Sequence, residues 1–331
     1  MTNDKLRKRV LSGIQPSGKL HLGNLIGALE NWVRLQEQYD CHFFIADIHA
    51  LTTTYDDIKK LPGYIKDVAA DLLAVGIDPK KCTLFKQSDV PEHSELHLLF
   101  SMITPLPWLE RIPTYKSKID ELKGKDLGTY GFLGYPVLQA ADILIYKADF
   151  VPVGEDQLPH IELTREIARR FNYFYGEVFP IPRDLLTQFP VLPGLDGRKM
   201  SKSYNNTIAI SDSVEEIKKK VGAMVTDPAR VKKEDKGHPD VCTVFSYNSI
   251  FNKPSLEKIA QECRNASRGC VACKNEFLAH LLAYLHPIQE RRKKIMQDEA
   301  QLEKILQAGA ASARKTAAIT LQEAKAAMGL V

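Results

Sequence analysis

The N-terminal part of the chain alternates short apolar segments with longer amphipathic ones, and this alternation restricts the fold more than any other feature. The apolar segments have the length of strands, and the segments between them have the apolar periodicity of helices. This order of strand, helix and strand predicts a parallel, doubly wound sheet in an α/β fold. The predicted strands are 8–14, 42–46 and 83–87, and the predicted helices are 23–39 and 61–75.

The chain continues with a long connection that predicts helices and a loop insertion at 123–131. A further strand at 151–154 and a helix at 159–171 follow, and a loop rich in Gly, Lys and Ser at 194–206 ends this part. These features predict an α/β domain over 1–207 with a helical connective insertion at about 92–147.

The pattern changes after residue 211, because helical periodicity replaces the alternation. The chain has 331 residues and 44% hydrophobic content, which is enough for two cores. We predict a second, all-helical domain over 208–297, and a C-terminal helix over 298–331 that packs back toward the first domain. The predicted helices are 214–224, 255–263, 277–296 and 298–330.

Composition limits the class of protein. The net charge is only +4, so nucleic-acid binding would need a local basic patch. The N-terminus has no apolar signal region, and no segment is apolar enough to span a membrane. We therefore expect a soluble cytoplasmic protein, in which disulfides are not expected.

A glycine-flanked turn, Gly18-Lys19-Leu20-His21-Leu22-Gly23-Asn24, joins the first strand to the first helix. The free N–H groups of a helix N-terminus suit a phosphate, and glycines allow a ligand to approach the backbone. His21 could donate a hydrogen bond to a phosphate oxygen. The alternative is an ordinary glycine turn with a surface histidine.

A second motif lies in the loop that follows Gly194 and Gly197. Its lysines and hydroxyls could clamp a polyphosphate on a mobile segment. The alternative is a solvated basic loop. The residues are Lys199, Met200, Ser201, Lys202 and Ser203.

Together, the two motifs resemble those of the class I aminoacyl-tRNA synthetases. Residues 21–24 (the HLGN motif) resemble the HIGH motif, and residues 199–203 (the KMSKS motif) match the second motif letter for letter. Other nucleotidyltransferases typically share only the first. The resemblance implies a Rossmann-like catalytic domain, with His21, Lys199 and Lys202 as catalytic residues. It implies ATP binding, with Mg²⁺, by Gln15, Ser17, Gly18, His21, Gly23, Asn24, Gly154, Asp156, Lys199, Met200, Ser201, Lys202 and Ser203.

A predicted helix over 134–146, with Pro136 in its first turn, is apolar except for one face. Polar residues at i, i+4, i+7 and i+11 share that face. Such a face is either the wall of a pocket or core polarity with satisfied hydrogen bonds. The residues are Tyr135, Gln139, Asp142 and Tyr146.

This helix and the block 151–157 resemble the amino-acid pocket of tryptophanyl-tRNA synthetases. The resemblance implies that Asp142 accepts the indole N–H, which is a donor only, and that Tyr135 and Gln157 hold the substrate ammonium. Gln139 stands where bacterial members often have methionine. The implied tryptophan-binding residues are Gly13, Tyr135, Gln139, Asp142 and Gln157.

The resemblance covers nearly the whole chain, including 12–18, 76–79, 160–165, 287–292 and 327–330. It implies adenylation of L-tryptophan by ATP, transfer to the 3′ end of tRNA(Trp), and a homodimer. The alternatives are a tyrosyl-tRNA synthetase, a tRNA-binding paralogue without catalysis, and another nucleotidyltransferase.

Four of the six cysteines lie in the predicted helical domain with the spacing C-x20-C-x6-C-x2-C. Zinc sites usually have two C-x-x-C pairs, so the single pair favours four-thiolate iron–sulfur ligation over zinc. Free thiols are the third reading. The spacing resembles that of a 4Fe–4S site in some bacterial tryptophanyl-tRNA synthetases. The four are Cys242, Cys263, Cys270 and Cys273, and the implied role is structural, near the tRNA anticodon.

Overall fold

The computed structural model describes residues 7–56, 58–113, 115, 128–186 and 192–331. Most of the predicted loop insertion at 123–131 lies outside these residues.

The predicted parallel sheet is confirmed. Its strand order is β3-β2-β1-β4-β5, and every pair of neighbours is parallel. The chain adds β2 and β3 on one side of β1 and then adds β4 and β5 on the other. The strands are β1 (Arg9–Ile14), β2 (Asp40–Ile45), β3 (Thr83–Lys86), β4 (Phe150–Val153) and β5 (Arg183–Leu186).

This change of direction places a crevice between the carboxyl ends of β1 and β4. In open α/β sheets, the helices after these two strands diverge to opposite faces, which leaves room for a ligand. The topology therefore predicts a site at the ends of β1 and β4.

Helices cover both faces of the sheet, and the described residues after β5 contain helices and no further strand. A π-helical turn, Leu25–Leu29, joins α1 to α2 without a break. No helix within the described residues is long and apolar enough to cross a membrane. The helices are α1 (Leu22–Asn24), α2 (Glu30–Leu35), α3 (Asp47–Thr54), α4 (Leu61–Val75), α5 (Glu92–Ser101), α6 (Leu106–Glu110), α7 (Tyr130–Ile145), α8 (Leu158–Tyr175), α9 (Val214–Ala223), α10 (Thr243–Phe251), α11 (Leu256–Arg264), α12 (Cys270–Met296) and α13 (Glu299–Ala327).

Some elements differ from the expectations. α7 begins at Tyr130 behind the capping hydroxyl of Thr129, so Pro136 lies inside the helix and not in its first turn. α3 was missed because it follows β2 at once, with no capping side chain. β5 was missed because its four residues show no alternation.

The core has two parts, one on each face of the sheet, because successive strand residues point to opposite faces. On one face, Trp32 of α2 stacks on Phe43 with ring centroids 4.6 Å apart. On the other, Phe44 stacks on Phe85 at 5.7 Å. The sheet is therefore buried on both sides, as its apolar strands require.

Helix α13 closes the open edge of the sheet beside β3. A Cβ at Gly309 would lie 1.8 Å from the carbonyl oxygen of Leu84, so only glycine allows this close approach. An uncovered strand edge promotes aggregation. The C-terminal helix thus protects the strand that ends the sheet.

Candidate active site

A cavity of about 470 Å³ lies at the carboxyl ends of β1 and β4, where the topology predicts a ligand. Helix α7 forms one wall of the cavity. The end of α1 and the π-helical turn that follows it form another. Nine of the predicted site residues line it: Gly13, Gln15, Asn24, Tyr135, Gln139, Asp142, Gly154, Asp156 and Gln157.

The apolar part of the cavity depends on a glycine. A Cβ on Gly13 would lie 2.5 Å from the ring of Phe44, so any larger residue would collide with that ring. The Phe44 ring, Ile143 and Val153 therefore present an apolar wall to the cavity. Such a wall suits a large, flat side chain.

Asp142 is the buried charge of this cavity, since only 1% of it is exposed. Its Oδ1 accepts hydrogen bonds from Gln87 Nε2 at 2.8 Å and His93 Nδ1 at 2.6 Å. Its Oδ2 pairs with His49 Nε2 at 2.7 Å. Burial acts to raise the pKa of Asp142, but the two histidines outweigh it and lower the pKa to about 2. The carboxylate is therefore ionised at neutral pH and can only accept hydrogen bonds.

Tyr146 fixes the orientation of His93 from behind. Its hydroxyl lies 2.7 Å from His93 Nε2, and burial raises the pKa of the phenol. His93 is therefore held between two partners, with Nδ1 at Asp142 Oδ1 and Nε2 at the Tyr146 hydroxyl. Tyr146 was predicted to share the polar face of α7, and it lies behind Asp142, away from the cavity lining.

The three partners of Asp142 were missed by the sequence analysis. Gln87 follows β3 directly, and His49 lies in α3 just after β2. Polar residues at the carboxyl ends of parallel strands were the available signal. His93 in α5 had no local signal.

The polar end of the cavity is formed by Tyr135 and the turn after β4. The Tyr135 hydroxyl lies 3.2 Å from His160 Nε2, and Gln157 Nε2 donates to Asp156 Oδ2 at 3.2 Å. Gln139 is half-buried in the wall between this end and Asp142. The cavity thus has a polar end and an apolar end with one buried charge.

His21 caps the helix that begins beside the cavity. Its Nδ1 accepts the Asn24 backbone N–H at 3.3 Å, and Asn24 Oδ1 accepts the His21 N–H at 3.1 Å. Burial, and then the charge of Lys202, lower the pKa of His21 to about 4. The ring is therefore neutral at pH 7, and Nε2–H is its only donor.

The loop that carries the KMSKS motif packs directly on residues 17–24, the turn that carries the HLGN motif (the HLGN turn). Lys202 Nζ donates to the Gly18 carbonyl at 3.1 Å and to Ser17 Oγ at 3.3 Å. Met200 is buried, and its sulfur would lie 3.2 Å from a Cβ on Gly23. Lys199 is exposed. Of the two lysines, Lys202 is the one that the fold places against the HLGN turn.

Asn206 supports this loop and was also missed. Its Oδ1 accepts the Ser201 N–H at 2.8 Å, and its Nδ2 donates to the Lys199 carbonyl at 3.1 Å. A Cβ on Gly194 would lie 2.1 Å from Asn206 Nδ2, so the glycine before the motif makes room for this amide. Ser203 lies in the 3-10 turn Lys202–Tyr204.

A short antiparallel contact joins the two motifs. The Leu22 N–H donates to the Ile208 carbonyl at 3.0 Å, and the Ile210 N–H donates to the Leu20 carbonyl at 2.9 Å. His21 stands between the two bonds and pairs with Ala209. The loop that carries Lys202 is therefore tied to the turn that carries His21.

Comparison with known proteins identifies the family. Residues 3–286 match the family model described as tRNA synthetases class I (W and Y). A tryptophan–tRNA ligase from Thermotoga maritima is 53% identical over 326 residues, which cover 98% of this chain and 99% of the relative. The chain belongs to the tryptophan–tRNA ligases. An Aquifex aeolicus ligase of this family is 44% identical and covers 97% of this chain.

Solved structures agree with the family. The Campylobacter jejuni tryptophanyl-tRNA synthetase complexed with ADP and tryptophan has a TM-score of 0.88 and 37% identity, and covers 97% of this chain and 100% of its own. A tyrosyl-tRNA synthetase from Archaeoglobus fulgidus has a TM-score of 0.67 but 22% identity, so it shares the fold alone. The tryptophan–tRNA ligase family thus accounts for both the sequence and the structure.

The four clustered cysteines line one small cavity between α10, α11 and α12. The guanidinium of Arg230 contacts Cys263 Sγ at 3.9 Å, and Asn248 Nδ2 contacts Cys273 Sγ at 3.8 Å. Burial raises the pKa of the Cys273 thiol to about 12. Within the described residues, no three His, Cys, Asp or Glu side chains are arranged to hold a metal ion. The other two cysteines, Cys41 and Cys82, lie in the N-terminal part of the chain. Both are buried and form no disulfide.

The sequence analysis predicts that Lys202 binds ATP, so the rate of ATP-dependent tryptophan activation should fall at basic pH, where Lys202 loses its charge. Burial lowers the pKa of Lys202 to about 8, so its ammonium is lost as the pH rises through that value. We expect kcat/KM for ATP, measured by pyrophosphate exchange at saturating tryptophan, to fall through about pH 8 in wild type. At saturating ATP the fall should move to higher pH, because phosphates stabilise the ammonium. A kcat/KM that stays constant between about pH 7 and 9.5 would contradict this role.

Proposed function

We propose that this tryptophan–tRNA ligase adenylates L-tryptophan in the cavity between β1 and β4 and then transfers it to the 3′ end of tRNA(Trp). The observation that carries the proposal is the ionised, buried carboxylate of Asp142 at the apolar end of that cavity. The proposed reaction uses Mg-ATP and releases pyrophosphate and then AMP.

The proposed indole site follows from the hydrogen bonds of Asp142. Oδ1 already accepts two hydrogen bonds, whereas among the described residues Oδ2 is paired only with His49 and keeps a lone pair for an indole N–H. A substrate without that donor would leave a buried charge poorly satisfied. Phenylalanine would therefore be rejected.

Tyrosine differs from phenylalanine because its phenol can donate. Its single ring is smaller than an indole, however. A tyrosine placed so that its phenol reaches Oδ2 would leave part of the apolar space of the cavity empty. We propose that Tyr135 and Gln157, at the polar end, hold the ammonium of the bound tryptophan.

The proposed adenylation needs no nucleophile from the protein. One carboxylate oxygen of tryptophan attacks the α-phosphorus of ATP, the bond to the bridging oxygen breaks, and pyrophosphate carries away the electron pair. The tryptophan carboxylate is already ionised, so no proton must be removed. The work of the protein is to position the reactants and to stabilise the charge of the leaving group.

His21, Lys199 and Lys202 are the proposed catalytic residues. Nε2–H of His21 and the ammonium of Lys202 would bind phosphate oxygens beside the helix N-terminus at Leu22. Lys202 must exchange its contacts with Gly18 and Ser17 for the phosphates, which makes movement of the KMSKS loop part of the step. Lys199 is exposed, and we propose that it binds the phosphates when the KMSKS loop closes.

Amino-acid-dependent pyrophosphate exchange tests the proposal directly. Wild type should exchange with tryptophan and not with tyrosine. Lys202→Ala should lower the exchange rate by roughly a hundredfold or more, while the Kd for tryptophan changes little, because the lysine acts on the phosphates only. Lys59→Ala, at an exposed position far from the KMSKS loop in the sequence, is the matched control. Near-normal exchange by Lys202→Ala, or exchange with tyrosine in wild type, would refute the proposed roles.

The helical part of the chain is proposed to bind tRNA. We propose that 208–297 forms an anticodon-binding domain, and that 298–331 is a C-terminal element that packs back on the catalytic domain over 1–207. The support is the close packing of α13 on β3 at Gly309. A cytoplasmic site of action follows from the proposed role in translation.

The proposed homodimer has support from exposed apolar side chains near α5. Leu98 and Met102 are one helical turn apart and are 53% and 67% exposed. Leu106 and Tyr130 are 56% and 61% exposed. Side chains of this size are rarely so exposed together on a monomer, so we propose this surface as the interface.

We also propose that the four-cysteine site holds a 4Fe–4S cluster with a structural role, with zinc as the alternative ligand. Its support is that four thiols, with a sequence spacing that resembles the 4Fe–4S motif, line a single cavity. Arg230 and Asn248 would donate hydrogen bonds to the sulfurs, and such bonds tune cluster stability and potential.

Metal analysis of anaerobically purified protein tests this site. We expect about four iron and four sulfide per chain, with loss of both in Cys273→Ala. Cys82→Ala, which removes a buried thiol outside the site, should keep both. Zinc at one per chain would establish the alternative, and protein without metal would mean free thiols.

A further inference from the structure

Gln289 lies near the C-terminal end of α12 and uses its side-chain amide to hold another part of the chain. Its Nε2 donates to the Ile210 carbonyl at 2.9 Å and to the Asp212 carbonyl at 3.0 Å. An amide NH₂ has two protons, and both are used here. One side chain of the helical region therefore fastens the short segment 208–212.

The segment 208–212 is the one that joins the two nucleotide motifs. It follows the KMSKS motif closely in the chain, and its pairing with Leu20 and Leu22 brackets His21. A shift of this segment would move the backbone on both sides of His21. It would also move the anchor of the loop that carries Lys202.

Arg292, one helical turn after Gln289, keeps α12 in place. Its Nε donates to Asp71 Oδ1 at 2.6 Å, and a second guanidinium nitrogen contacts Asp67. Asp71 is fully buried, and burial raises its pKa to about 6, although Arg292 and the Leu20 backbone N–H act in the opposite direction. Helix α12 is thus fixed to α4, so the amide of Gln289 has a firm base.

We infer that Gln289 is a positioning residue for adenylation. It holds 208–212 against the HLGN turn, and so sets where His21 and Lys202 stand relative to the phosphates of ATP. Gln289 does not line the cavity proposed to bind tryptophan. The inference rests on the proposed function, because it assigns Gln289 to the nucleotide half of that reaction.

Replacement of the amide by an isosteric apolar group tests the inference. Gln289→Met keeps the length of the side chain and removes both donors. In tryptophan-dependent pyrophosphate exchange, kcat/KM for ATP should fall roughly ten- to hundredfold, as expected for a misplaced catalytic group. The KM for tryptophan should stay within about twofold, because that pocket is intact. Gln297→Met, at an exposed position after the same helix, is the matched control.

Hydrogen exchange gives a second readout that does not need the reaction. In Gln289→Met, amides in 20–24 and 206–212 should exchange faster than in wild type, while those around Asp142 stay unchanged. Gln289→Glu, which puts an acceptor against the two carbonyls, should give the same pattern and replaces the methionine variant if that variant does not fold.

Two results would overturn the inference. One is a wild-type kcat/KM for ATP in a folded variant, and the other is a rise in the KM for tryptophan as large as the fall in kcat/KM for ATP. If wild type itself shows no tryptophan-dependent pyrophosphate exchange, the proposed function fails instead. The hydrogen-exchange pattern then still decides whether Gln289 positions the turn that carries His21.

Discussion

The buried carboxylate of Asp142 is the interaction on which the arrangement of the site depends. A charge without water must be paired, or it would be neutralised or expelled. Its three partners come from three different elements, since His49 lies in α3, Gln87 follows β3 and His93 lies in α5. Loss of one donor would therefore disturb both the charge of the cavity and the packing of the elements around it. The same pairing keeps the carboxylate an acceptor at neutral pH, which is the property that an indole N–H requires.

The nucleotide half of the site depends on a different constraint, the backbone pairing of 208–210 with the HLGN turn. This pairing brings two motifs that are far apart in sequence to the same end of the sheet. In the proposed function, the contact of Lys202 with Gly18 changes when phosphates bind, while the amide of Asn206 holds the base of the loop. Because Asn206 fixes the base of the loop, Lys202 can exchange its contact with Gly18 for a phosphate while the rest of the loop keeps its position. The proposed tryptophan site and the proposed nucleotide site are thus built from separate hydrogen-bond networks that meet at the end of β1.

Local patterns were sufficient to predict four of the five strands and most helices. Helix α4 was predicted to the residue, because Gly76 in a left-handed conformation ends it with a clear signal. The cavity residues were predicted through Asp142 and its helical face, yet His93 and Asn206 were not. Their roles depend on contacts between residues far apart in the chain, which no local period encodes. Pro136 was misplaced for a related reason, since packing of α7 in the core tolerates a proline that its propensity alone would put in the first turn.

The most direct test of the account is the hydrogen bond between Asp142 and the indole N–H. The benzothiophene analogue of tryptophan has sulfur in place of this N–H and nearly the same shape. In wild type, kcat/KM for tryptophan should exceed that for the analogue by roughly ten- to hundredfold, as expected for a hydrogen bond to a charged group. In Asp142→Asn, this ratio should fall to a few-fold, because a neutral amide oxygen is a weaker acceptor than a carboxylate. The same ratio in wild type and in Asp142→Asn would contradict the assignment of Asp142 as the residue that recognises tryptophan.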